Sequence, residues 1–137
     1  MPLSYYKGEI MNKKNKRLYL ESGYLDFRYI LSLGLTFNFI VGARGVGKTY
    51  GALKTVVEDK TKFMLMRRQQ SQTDIINKAD FSPFKTLNRD NGWTITPKSI
   101  SKYSAGFYDS VEEDGKIQTV GSAYGYTCAV STISTMR

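Results

Sequence analysis

The chain has 137 residues, a length typical of one domain, and 41% of them are hydrophobic, which is enough to bury a core. It contains no histidine and one cysteine, Cys128, so histidine-based catalysis and an internal disulfide framework are excluded, and no zinc site is expected. The net charge of +8 favours polyanionic partners, meaning nucleic acid, nucleotides or an acidic membrane surface, although a basic protein that is merely soluble is the alternative.

The first 23 residues are predicted to form a basic N-terminal arm. They carry no apolar stretch of the kind found in secretory signals. No apolar run in the chain is long enough to span a bilayer, so we expect a protein of the reducing cytoplasm that does not enter a membrane. The positive charges of the arm form one cluster, consisting of Lys13, Lys14, Lys16 and Arg17.

The next part of the chain predicts a helix, a strand and a second helix. Residues 24–33 have the apolar spacing of a short helix that ends before Gly34. Residues 35–41, "LTFNFIV", are apolar enough to predict a strand that is buried on both faces. Residues 48–59 predict a helix, whose apolar stripe consists of Ala52, Leu53, Val56 and Val57.

The remaining chain predicts one more strand, one more helix and then β-structure. The apolar run "KFMLM", residues 62–66, predicts a strand, and Ser71 with Asp74 fits a capping box that starts a helix. From Trp93 onward the sequence alternates as in β-strands, with Asp114-Gly115 as a tight hairpin turn. This order of elements indicates an α/β domain whose first crossover is parallel and right-handed.

The strongest motif lies between the predicted strand and the second helix. Residues 42–49, "GARGVGKT", satisfy the pattern G-x-x-x-x-G-K-[ST]. Glycines let such a loop wrap so that successive backbone N–H groups point at a phosphate. Lys48 then spans the β- and γ-phosphates, and the Thr49 hydroxyl binds Mg²⁺. The start of the helix contributes the positive end of the helix dipole. The motif predicts nucleotide binding and leaves motor, kinase and switch open.

A second match, Asn77-Lys78-Ala79-Asp80, fits the N-K-x-D pattern with which GTPases read guanine. In those proteins the motif follows a late buried strand, whereas here it falls within a predicted helix, 29 residues after Lys48. No D-x-x-G sequence lies between the two motifs. We therefore interpret Asn77 to Asp80 as part of a helix surface.

Three stretches together resemble the DNA-packaging ATPases of small tailed phages. They are "FNFIVGARGVGKTYGALK", the strand with its arginine pair in "FMLMRRQQ", and the "DGKI" hairpin. That family, the encapsidation motors of podophages, is related to the large terminase subunits, and the resemblance runs over roughly residues 24–137. It implies an additional-strand P-loop NTPase with a mostly parallel central sheet and a peripheral β-hairpin.

The resemblance also implies a function and a set of partners. An ATP-driven ring, suspected to be a pentamer, would dock on the portal protein of a procapsid in the host cytoplasm. There it would translocate double-stranded DNA, with a packaging RNA as a further possible partner. ATP and Mg²⁺ are the implied cofactors, Lys48 and Arg44 the catalytic residues, and Thr49 the metal ligand. The implied nucleotide-binding residues are Gly42, Ala43, Arg44, Gly45, Val46, Gly47, Lys48, Thr49, Tyr50 and Arg68.

Hydrolysis also needs an acidic pair at the end of an apolar strand, and the sequence offers no such pair. Asp109 lacks the preceding apolar run, and the acids at residues 112–114 fall in the predicted hairpin turn. We therefore expect residues 24–137 to be an ATPase domain cut before its Walker B strand, with weak turnover. The alternatives are a nucleotide-gated nucleic-acid-binding module and a small nucleotide kinase. The roles of Arg67 and Arg137 stay open.

Overall fold

A computed structural model describes residues 18–43 and 47–135. The chain divides into two compact units, the first ending at Thr55 and the second beginning at Val56. The basic cluster of the predicted arm and Arg137 lie outside the described residues. The division into an arm, residues 1–23, and a domain, residues 24–137, stays a prediction.

The first unit contains the predicted short helix. An isolated β-bridge joins Tyr19 to Leu25, and the helix α1, Phe27–Ser32, follows directly. Asp26 caps this helix, because its carboxylate accepts a hydrogen bond of 3.2 Å from the Tyr29 backbone N–H. The prediction of a helix before Gly34 is confirmed, with a later start than the apolar spacing suggested.

The prediction of a strand at residues 35–41 is wrong. Residues 35–43 have neither helical nor strand structure, and Phe39 and Val41 are each 90% exposed. A strand is stable only where a neighbour pairs with its N–H and C=O groups, and apolar composition does not supply that neighbour. The parallel crossover that was to start from this strand is therefore not formed.

The second predicted helix is confirmed as α2, Lys48–Glu58. Leu53 and Val57 are buried, and Ala52 and Val56 are half-buried, so the predicted apolar stripe is the covered side of the helix.

The second unit is built on a four-stranded sheet. Its strands are β1, Phe63–Arg67, β2, Ile95–Ser99, β3, Ala105–Glu113, and β4, Lys116–Ala129, in the order β1-β4-β3-β2. Only β1 and β4 pair in parallel, and the other two pairs are antiparallel. The sheet is therefore mixed, and the expectation of a mostly parallel sheet is wrong. The hairpin expected at the periphery supplies the two central strands.

The turn of that hairpin agrees with the sequence. Asp114 and Gly115 connect the facing residues Glu113 and Lys116, and both turn residues have positive φ, 52° and 75°. A two-residue hairpin loop of this kind requires positive φ at both positions, which Asp-Gly tolerates well. It also dictates antiparallel pairing of the strands that it joins.

Short helices complete the second unit. They are α3, Gln70–Ile76, α4, Phe84–Asn91, and two 3₁₀ helices, Ala79–Phe81 and Val130–Thr135. The sequence analysis missed α4, although Pro83 precedes it and Gly92, with φ of 68°, ends it. The capping box predicted at Ser71 and Asp74 is also at the wrong position.

The capping of α3 involves glutamines instead of Ser71 and Asp74. The backbone N–H of Gln69, the residue before the helix, donates to Gln72 Oε1 at 3.3 Å. Glutamine at the third helical position can reach back in this way, so the helix starts earlier than predicted.

Aromatic rings form the core between α4 and one face of the sheet. The rings of Phe84 and Phe107 are fully buried with centroids 4.8 Å apart, and the Phe63 ring stacks on Phe107 at 6.1 Å. Gly125 faces both Phe63 and Phe107 in the sheet register, and a Cβ there would lie 2.6 Å from the Phe63 ring. The glycine thus lets the rings of neighbouring strands meet.

A buried hydroxyl connects α3 to the sheet. Thr127 is fully buried, and its Oγ1 accepts a hydrogen bond of 3.0 Å from the Ala105 backbone N–H. The same hydroxyl donates to Asn77 Oδ1 at 2.8 Å. Asn77, the residue that caps the C-terminus of α3, therefore stabilises the fold, and its interpretation as mere helix surface is corrected.

We expect Thr127→Val to lower the free energy of unfolding by about 1–3 kcal/mol, because valine leaves the Ala105 N–H buried without its acceptor. Thr119→Val, at a half-buried position in the exposed first half of β4, is the matched control and should change stability little. Urea denaturation of both variants measures the difference. Equal stabilities of the two variants would show that the buried hydroxyl does not connect α3 to the sheet.

Candidate nucleotide-binding site

The structure describes both ends of the predicted phosphate loop. Gly42 and Ala43 follow the exposed apolar segment, and Gly47 directly precedes α2. Lys48, Thr49 and Tyr50 form the first turn of that helix, with Thr49 exposed. The predicted site residues Arg44, Gly45 and Val46 lie outside the described residues.

The Lys48 side chain joins the two ends of the loop. Its Nζ donates to the backbone carbonyl oxygens of Gly42 and of Ala43, the latter at 3.2 Å. Three of the predicted residues are thus brought together by one ammonium group. A carbonyl oxygen carries only a partial negative charge, so the oxygens of a phosphate are stronger acceptors for the same group.

Gly47 has the backbone conformation that the motif requires. Its φ is 80°, in the region that residues with a side chain rarely adopt. The Tyr24 ring also lies against it, with Cδ1 and Cε1 at 3.2 and 3.3 Å from the position of an added Cβ. The positive φ and the nearby Tyr24 ring therefore both favour glycine at this position.

A second glycine meets a second ring one helical turn later. A Cβ on Gly51 would lie 2.7 Å from Cε2 of Phe27, the first residue of α1. Gly47 and Gly51 are four residues apart and therefore lie on one face of the helical turn. We call Tyr24 and Phe27 the aromatic clamp. The sequence did not predict it, because the rings and the glycines belong to different elements of the chain.

The donors available for a metal are few. Among the described residues, no group of three or more His, Cys, Asp or Glu is arranged to hold a metal ion. The exposed hydroxyl of Thr49 suits Mg²⁺ bound to a nucleotide, because that ion keeps several waters and takes other ligands from the phosphates.

The arginine pair belongs to the second unit. Arg67 ends β1, where it faces Ala129 at the end of the parallel strand β4. Arg68 is exposed, and its backbone carbonyl accepts a hydrogen bond of 3.2 Å from Ser131 N–H. The nucleotide-binding role of Arg68 stays a prediction.

The acidic residues of the hairpin lie on β3 and at the turn that follows it. Asp109 accepts a hydrogen bond of 2.7 Å from the Tyr124 hydroxyl. This hydrogen bond, followed by burial and the carboxylate charge, raises the pKa of Tyr124 above its ordinary value, because each disfavours the phenolate. Glu112 and Glu113 are exposed at the end of β3, where they pair with residues of β4, so of the three acids predicted in the turn only the exposed Asp114 lies there.

The comparisons with known proteins leave the family open. No protein-family model, no curated protein and no solved structure matches this chain at a significant level. Within the two described ranges, no helix combines the length and the apolar character needed to cross a bilayer.

Gly51→Ala is expected to lower the free energy of unfolding, the opposite of its usual effect in a helix. In the interior of a helix this substitution ordinarily stabilises by about 0.5–1 kcal/mol. Here the added Cβ meets the buried Phe27 ring, and overpacking costs about 1–3 kcal/mol. Thermal and urea unfolding of the single variant measure the sign.

A double-mutant cycle with Phe27→Leu tests the cause. If the ring is responsible, the cost of Gly51→Ala falls in the Phe27→Leu background. An unchanged cost in that background, or a stabilising single variant, would contradict the contact between Gly51 and Phe27.

Proposed function

We propose that this chain is the ATP-binding part of a viral motor that packages double-stranded DNA into a procapsid. The observation that carries the proposal is the sequence GARGVGKT directly at the start of α2, with the Lys48 ammonium group turned back onto the loop carbonyls. The resemblance to podophage packaging ATPases supplies the biological setting.

The proposed binding chemistry uses groups of the first unit. Backbone N–H groups of the loop and of the first turn of α2 donate to the phosphates, helped by the positive end of the helix dipole. Lys48 exchanges its carbonyl acceptors for oxygens of the β- and γ-phosphates, where a fully charged partner strengthens the hydrogen bonds. Arg44 is proposed as a second cation for the γ-phosphate, and Tyr50 as a further contact of the site.

Mg²⁺ neutralises phosphate charge when it is bound, and the Thr49 hydroxyl is the proposed protein ligand. The resemblance to the packaging ATPases adds Arg68 as a further proposed nucleotide-binding residue. Turnover is proposed to be slow, because no acid of this chain follows an apolar strand in the manner of a Walker B motif.

The proposed macromolecular partners follow from charge and from the resemblance. A net charge of +8 favours binding to the phosphates of double-stranded DNA or of a packaging RNA. Assembly as a homo-oligomeric ring on the portal protein, in the cytoplasm of a bacterial host, rests on the resemblance to the packaging ATPases.

Lys48→Ala is expected to weaken Mg²⁺·ATP binding by about ten- to a hundredfold, the loss of a charged hydrogen bond. Lys85→Ala removes the same charge from an exposed position on α4 and should leave the affinity unchanged. Titration calorimetry measures both variants against the wild type. Equal losses in the two variants would mean that ATP binds only through net charge.

The motor function is tested by adding double-stranded DNA. We expect the slow ATP turnover of the wild type to rise with DNA, and this rise to be absent in Lys48→Ala. If Lys48→Ala kept a DNA-stimulated turnover, the packaging proposal would be abandoned. Binding of DNA itself should weaken steeply with salt, since it depends on phosphate contacts.

A further inference from the structure

The aromatic clamp contacts the end of the phosphate loop and the helix behind it through separate side chains. Tyr24 lies against Gly47, the last residue of the loop, and Phe27 lies against Gly51, in the helix. The two glycines are themselves joined, because Gly51 N–H donates to Gly47 O at 2.9 Å. The clamp therefore contacts both ends of one helical hydrogen bond.

The two rings differ in burial and hence in what their removal would do. Phe27 is only 8% exposed, so it is part of the core of the first unit. Tyr24 is 57% exposed, and its ring packs against Gly47. Removing the Phe27 ring would damage the fold, whereas removing the Tyr24 ring changes mainly the support of Gly47.

Gly47 is followed directly by the residues that are proposed to hold the phosphates and Mg²⁺, Lys48 and Thr49. Backbone N–H groups bind a phosphate only when they are held in the correct direction, and small displacements of such a site are costly. A glycine at positive φ has wide conformational freedom of its own. A ring packed against it limits that freedom.

We propose that Tyr24 is a positioning residue for the bound polyphosphate, acting through Gly47 instead of touching the ligand. This inference rests on the proposed function, since it concerns the same loop. The contact is made by carbon atoms of the ring, so the phenolic hydroxyl is not required and phenylalanine can replace tyrosine.

The experiment compares a ligand with a base and a ligand without one. Affinities for Mg²⁺·ATP and Mg²⁺·tripolyphosphate are measured for the wild type, Tyr24→Ala and Tyr24→Phe. Tyr126→Ala, which removes a partly exposed tyrosine from β4, is the matched control. We expect Tyr24→Ala to weaken both ligands by the same factor, about three- to tenfold. Tyr24→Phe and the control should bind like the wild type.

Three results would overturn the inference, and they are separable. A loss for ATP with no loss for tripolyphosphate would mean that Tyr24 contacts the nucleoside. Wild-type affinity of Tyr24→Ala for both ligands would mean that Gly47 needs no support. If the wild type binds neither ligand, the proposed function itself fails and the positioning role fails with it.

Amide exchange without ligand provides a readout that does not depend on binding. Because Gly51 N–H closes the first turn onto Gly47, its exchange should be faster in Tyr24→Ala by a factor similar to the loss of affinity, and normal in Tyr24→Phe. Unchanged exchange in Tyr24→Ala would contradict the support of Gly47 by the ring, whatever the ligands do.

Discussion

The close approach of two aromatic rings to two glycines is the constraint on which the candidate site depends. Gly47, just before α2, and Gly51, in its first turn, carry no side chains, and Tyr24 and Phe27 lie where those side chains would be. The start of a helix binds phosphate through its backbone N–H groups, so the position of the backbone contributes to binding beside the Lys48 side chain. The proposed positioning role of Tyr24 assigns to the clamp the task of holding that backbone.

Several elements could be predicted because the residues that determine them lie close together in the sequence. The helix α2 follows from a stripe of apolar residues, and the hairpin between β3 and β4 follows from Asp114-Gly115 and the alternation around it. Short-range rules were sufficient for this helix and this hairpin. The phosphate-loop motif is also a short-range pattern, of eight consecutive residues, and its binding role stays a prediction.

Other features depend on partners that are distant in the chain. Residues 35–41 look like a buried strand, yet Phe39 and Val41 are almost fully exposed, because apolar side chains do not specify which strand will pair with them. Asn77 looked like a helix surface because its partner, Thr127, is fifty residues further on. The clamp escaped notice because Phe27 and Gly51 come from different elements.

NMR titration with Mg²⁺·tripolyphosphate tests the polyphosphate site that is proposed for the loop between Gly42 and Lys48. We expect the largest changes of amide chemical shift at Gly42, Ala43, Gly47, Lys48 and Thr49, since Lys48 would leave its carbonyl acceptors as the N–H groups engage the ligand. The hairpin turn should not respond. Changes spread evenly over surface lysines, with none in the loop, would contradict a polyphosphate site in the loop.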